Sequence, residues 1–151
     1  MISITKLIRT AAVAGMATAA LALPFGSSAS AAPATAAKAP AVVKAPALSN
    51  AAKHFMAKSK RSVCINAHIE NIGWQGWKCG TGWWPAYAGT TGQSLRIEAL
   101  SIATRKTGGV CAQGHVQNIG WQKWSCSWWN KPATIGTEGQ SLRLEALRVR
   151  V

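Results

Sequence analysis

The chain has 151 residues, with 17 lysines and arginines against 4 acids and a formal charge of +13. It contains four glutamates and no aspartate, which leaves little for carboxylate catalysis, and the basic excess favours polyanionic surroundings. Its 4 cysteines and 8 tryptophans all fall within residues 62–151.

Residues 1–31 read as a secretory signal peptide. Lys6 and Arg9 form the positive start, Ile8 to Leu23 the apolar core, and Ala29-Ser30-Ala31 the small-residue cleavage site. The apolar run is too short for a spanning helix, and no second one follows, so the mature chain is expected to be exported without a membrane span. With no wall-sorting motif or hydrophobic tail at the end, any attachment to a surface is expected to be non-covalent.

Residues 32–61 are rich in Ala, Pro and Lys. Six bases (Lys38, Lys44, Lys53, Lys58, Lys60 and Arg61) and no acid give this arm a charge of +6. Its proline spacing favours an extended, disordered linker over a core element. Such an arm suits either a solubilising spacer or electrostatic retention on anionic wall polymers.

The remaining 90 residues, 62–151, hold one unit twice. HIENIGWQGWKC at 68–79 returns as HVQNIGWQKWSC at 115–126, and GTTGQSLRIEAL at 89–100 returns as GTEGQSLRLEAL at 136–147, both offset by 47. Aligned without a gap, 63–102 and 110–149 agree at 22 of 40 positions. The units are bounded at 62–108 and 109–151, and duplication on this scale marks repeat architecture. A unit that keeps His, Asn, Trp and Gln in both copies reads more naturally as a bivalent binder than as an enzyme.

Each copy opens on strict alternation, Val63, Ile65, Ala67 and Ile69 in the first and Val110, Ala112, Gly114 and Val116 in the second. That period predicts a half-buried strand. Asn71-Ile72-Gly73 and Asn118-Ile119-Gly120 supply turns, and 74–79 and 121–126 read as a second strand. A nine-residue loop, then Gly-Thr-x-Gly, leads to a last strand, Ser94 to Ala103 in the first copy. Its apolar positions shift phase, which predicts a bulge, a bend or coverage on both faces.

Cys64 and Cys79 match Cys111 and Cys126. An even count in an exported chain reads as disulfides, and the repeat favours Cys64–Cys79 with Cys111–Cys126. Each would contribute about 3 kcal/mol by closing its loop. Zinc is disfavoured by the lack of any Cys-x-x-Cys pair. No metal or cofactor is expected.

The expected fold is all-β, two tandem β repeats packed as a small sandwich or barrel, a trefoil-like arrangement included. The patterns His-Val-Gln-Asn-Ile-Gly-Trp-Gln at 115–122 and Gly-Thr-x-Gly-Gln-Ser-Leu-Arg-Leu-Glu-Ala at 136–146 resemble the ChW repeat, the clostridial hydrophobic repeat with a conserved tryptophan. The resemblance covers both units. It implies an exported, surface-associated binding module of a kind linked to adhesion and to polysaccharide or protein binding. The cysteines and the long loop before Gly-Thr depart from the family's usual pattern.

Candidate ligand contacts follow from chemistry. Trp83, Trp84, Trp128 and Trp129 lie in loops beside Pro85 and Pro132, where burying both members of an adjacent pair is difficult. Indole faces stack on sugar rings, and neighbouring amides and imidazoles bond hydroxyls, which nominates His68, Asn71, Trp74, Gln75, His115, Asn118, Trp121 and Gln122. Each has a structural alternative: core packing for Trp74, Trp77, Trp121 and Trp124, a self-contained turn for Asn-Ile-Gly, a structural hydrogen bond for the histidines. Arg96/Glu98 and Arg143/Glu145 share a strand face and suit ion pairs.

No serine sits in a nucleophile motif, and every candidate acid is duplicated, so no enzyme is expected. The favoured function is binding of extracellular polysaccharide or cell-wall glycan. The alternatives are a protein-binding or self-associating surface protein and a nonspecific polyanion binder, with nucleic acid disfavoured by export.

Overall fold

The computed structural model describes residues 43–128 and 131–151. The expected signal peptide at 1–31, the arm as far as residue 42, Trp129 and Asn130 lie outside the described residues.

The first copy forms β1 (Ser62–Ile69), β2 (Gly73–Trp74), β3 (Lys78–Gly80) and β4 (Ile97–Arg105). The second forms β5 (Val110–Val116), β6 (Gly120–Trp121), β7 (Ser125–Ser127), β8 (Ala133–Gly136) and β9 (Leu144–Arg150). All pairings are antiparallel. One sheet runs β2-β1-β4-β8 with β3 also on β1, and the other runs β6-β5-β7 with β9 also on β5. The fold is the expected all-β pair of repeats, arranged as a small sandwich, and the described residues close no barrel.

The alternation read from the sequence sets the core. Ala67, Ile69, Leu100 and Ile102 from the first copy meet Val110, Ala112, Ala133 and Ile135 from the second. Val63, Ile65 and Leu144 pack at the margin. The phase shift in the last strand is a bulge. Between His68 and Ile69 the partner strand advances from Ala99 to Ile97, so Glu98 is the extra residue, and Glu145 repeats this against His115 and Val116. β4 is also covered on both faces.

Three expectations need correction. First, the nine-residue loop of the second copy is not loop throughout. Its last part is β8, which extends the sheet of the first copy through Ala99↔Gly136, Leu100↔Ile135, Ser101↔Thr134 and Ile102↔Ala133. Second, 74–79 and 121–126 are not continuous strands. The ladder to β1 and β5 is interrupted after each glutamine, whose amide still donates to Ala67 or Gly114 while its side chain turns to the loop.

Third, the arm is not disordered linker throughout. Asn50–Lys58 is a helix, α1, capped by Ser49, whose side chain accepts from the Ala52 amide at 3.2 Å. Ala52 and Met56, four apart on one face of α1, and Leu48 just before the cap are buried with Cys64 and Ala103. The Trp77 indole donates to the Ala47 carbonyl at 2.9 Å and fastens the chain just before the helix. The arm's mean composition hid this face, because alanine counts for little until a sheet is available to receive it.

Because Met56 is fully enclosed in this cluster, Met56→Ala is expected to lower stability by about 2–5 kcal/mol. Urea denaturation of the mature chain checks this. A linker residue would leave the midpoint unchanged.

Candidate functional site

Both copies build the same frame. The disulfides Cys64–Cys79 and Cys111–Cys126 join directly opposed residues of β1/β3 and β5/β7. All four cysteines are thereby used. The Asn-Ile-Gly turns are closed by their own backbone, with Ile72 donating to the Ile69 carbonyl at 3.1 Å and Ile119 to that of Val116 at 3.0 Å. Asn71 and Asn118 adopt φ of 62° and 61°, a left-handed conformation that asparagine tolerates.

The glutamines hold the loops. Gln75 accepts from the Gly89 amide at 2.8 Å and donates to the Gly89 carbonyl at 3.3 Å. Gln122 does the same at Gly136, at 2.7 and 2.8 Å. Each amide therefore reads one glycine backbone on both sides. Glycine is required at 136, since a Cβ there would run into the Glu98 carbonyl and the Ala99 Cα.

The bulged glutamates face the histidines. His68 Nδ1 lies 3.3 Å from Glu98 Oε2, and His115 Nδ1 lies 3.1 Å from Glu145 Oε2. Each imidazole meets the edge of its own copy's tryptophan, Trp74 or Trp121, at a centroid separation of 5.3 Å. His68 Nε2 also lies 3.8 Å from Glu138 of the second copy. Arg96 bridges Glu70 at 2.8 Å and Glu98 at 3.3 Å, whereas Arg143 contacts Gln117 at 3.4 Å. The expected Arg96/Glu98 pair is present, and in the second copy Glu145 turns to His115 instead.

The copies differ at their surfaces. Trp83 and Trp84 are 92% and 77% exposed, in a loop that runs from the first disulfide to the Gln75 clamp. Tyr87 stands exposed a few residues on, its hydroxyl 2.7 Å from Thr91 Oγ1. Trp128 is exposed and approaches Gly109, and Trp129 lies outside the described residues. Trp74 and Trp77 are half-buried, while Trp121 and Trp124 are exposed beneath Arg148 and Arg150, whose guanidinium carbons lie 4.0 and 5.5 Å from the ring centroids.

One groove occurs twice. In the second copy a cavity of about 550 Å³ is lined by Trp121, Lys123, Ser125, Pro132 and Thr134, with Val43 and Ala45 of the arm. In the first copy a cavity of similar volume, about 550 Å³, is lined by Lys78, Pro85 and Tyr87 with Ala51 and Phe55 of α1. Lys78, Pro85 and Tyr87 are the 47-residue equivalents of Ser125, Pro132 and Thr134. Tyr87, Arg148 and Arg150 were not nominated from the sequence. Their signal was available: each is a departure from identity between copies, standing against Thr134, Ser101 and Ala103.

Frame and surface together describe a tandem-repeat β module whose two copies share a disulfide-pinned scaffold. A family model agrees: ChW, Clostridial hydrophobic W, matches residues 68–105 and 115–151. The chain belongs to the ChW-repeat family and carries two tandem repeats of it. No curated protein and no solved structure matches it.

The two clamps are expected to differ in energetic weight. Gly136 is buried against β4, whereas Gly89 is partly open to water that can replace the lost amide. Gln122→Ala should lower stability by about 1–3 kcal/mol and Gln75→Ala by distinctly less, as measured by chemical denaturation of both variants.

Proposed function

We propose that this is an exported binding module that recognises extracellular polysaccharide or cell-wall glycan. The observation that carries the reading is the adjacent pair Trp83 and Trp84, 92% and 77% exposed, on a loop held at both ends. Large flat rings left in water on a small domain are costly unless they meet a partner. Holding the loop removes much of the ordering cost that a flexible aromatic surface would bear on binding.

The extracellular setting rests on the signal sequence and on two disulfides, which persist in oxidising compartments. No helix among the described residues is long and apolar enough to cross a membrane. The arm, with six bases and no acid, adds retention on anionic wall polymers. This reading assigns the chain no catalysis. Glu98 and Glu145 face the histidines of their own copies.

The test is sedimentation of the mature chain with microcrystalline cellulose, chitin and purified peptidoglycan, at low and high salt. The expected result is salt-resistant retention on one of these, reduced about tenfold or more by Trp83→Ala with Trp84→Ala, the loss typical of truncated aromatic anchors. Circular dichroism should show the variant folded. Retention that disappears with salt and ignores the tryptophans would assign the binding to the basic arm and sink the glycan reading.

A further inference from the structure

The geometry points to head-to-tail association of this chain with further copies of itself, in which segment 86–89 of one molecule adds to the free edge of β9 in the next. The contact that joins the two repeats within one molecule is the template. There, β8 of the second copy lies on β4 of the first, and the Thr137 amide extends the ladder to the Glu98 carbonyl at 2.9 Å. Shifted by 47 residues, the same pairing sets Ala146 against Gly89, Leu147 against Ala88, Arg148 against Tyr87 and Val149 against Ala86, with Thr90 donating to the Glu145 carbonyl.

Both halves of that contact are present and, among the described residues, unmated. On the accepting side, β9 pairs only with β5 among the described residues. Leu147 and Val149 are 48% and 45% exposed, where their equivalents Leu100 and Ile102 are 9% and 5% exposed. The difference comes from the neighbour that the first copy has and the second lacks. On the donating side, Gln75 already holds Gly89 as Gln122 holds Gly136, and both glycines keep a positive φ, 123° and 96°. Around Gly136 the backbone of β4 fills the space where a Cβ would stand, while at Gly89 only Ile97 Cδ1 comes within 4 Å, at 3.5 Å. The segment is shaped for a partner strand that the described residues of its own chain do not supply.

Charge on an edge strand normally discourages such pairing. Here Arg148 and Arg150 lie over Trp121 and Trp124, on the face opposite Leu147 and Val149, so the apolar face stays clear. The patches are different surfaces of one chain, so the contact is heterologous and propagates into chains or rings rather than stopping at a symmetric dimer. Backbone pairing would supply affinity, and Leu147 and Val149 meeting Ala86 and Ala88 would fix the register.

The proposal does not rest on the glycan reading, and its assay contains no carbohydrate. The mature chain is followed by sedimentation velocity and light scattering from micromolar to millimolar concentration, at low and high salt. Two variants block one end each: Leu147→Lys with Val149→Lys at the acceptor, and Ala88→Arg at the donor. Both variants are checked for folding by circular dichroism against the wild-type chain. Wild type is expected to form species larger than a dimer, undiminished by salt. Each variant alone should associate about tenfold or more weakly. An equimolar mixture of the two variants should restore a discrete dimer, because one intact acceptor then meets one intact donor. A wild-type chain that stays monomeric throughout overturns the proposal, as does association that both variants retain, that salt dissolves, or that the mixture fails to restore.

Discussion

Segment 133–136 belongs to the second copy by sequence and to the sheet of the first by hydrogen bonding, and this exchange is what gives two small units one core. Leu100 and Ile102 are buried because Ala133 and Ile135 arrive beside them with Val110 and Ala112. Burying a large aliphatic side chain is worth about 1.5–3 kcal/mol, so losing the exchange would forfeit a large share of what a domain of this size can muster. Gln122 sets the exchange geometrically by holding Gly136, and Gly136 permits it by having no side chain to strike β4. The disulfides then fix β3 and β7 on the far side of each first strand. They secure the units, while the exchanged strand secures the domain.

From that contact follows the inequality of the two ends. At one end α1 covers the disulfide face of the first copy, with Met56 against Cys64 and Ala103. At the other no helix is present among the described residues, and Arg150 replaces Ala103 and lies over Trp124. A guanidinium on an indole is a partial cover: it shields one ring face with a group that itself remains hydrated. The chain thus closes one end of the array with secondary structure and dresses only one face of the other.

The strands that pair locally were legible in the sequence, and the partner that comes from far away was not. Val63 to Ile69 alternates over seven residues and pairs with elements whose turns are written in Asn-Ile-Gly. The cysteine pairing followed from symmetry between copies. β8 has four residues, too few to establish a period, and its partner lies 33 residues earlier, as the Ser101–Thr134 hydroxyl contact illustrates. Nothing local distinguishes it from loop. The helix was hidden for a different reason. Ser49 as a cap and Leu48, Ala52 and Met56 at four-residue spacing are adequate signals, but they sit in a segment whose proline and lysine content dominates any average.

Symmetry between the copies also has to be read with care when it is used to find a site. The identical residues His68/His115, Asn71/Asn118, Gln75/Gln122 and Gly89/Gly136 each have a structural occupation, in a bulge, a left-handed turn position or a loop clamp. Identity after duplication is what a shared scaffold requires, because both copies must solve the same folding problem. A ligand need not be met by both in the same way. Trp83 and Trp84 have no tryptophan counterparts at the 47-residue offset, Tyr87 stands against Thr134, and Arg148 against Ser101. Trp83, Trp84, Tyr87 and Arg148 are all exposed. For a repeat protein of this size, differences between copies are therefore the better guide to what one copy does that the other does not.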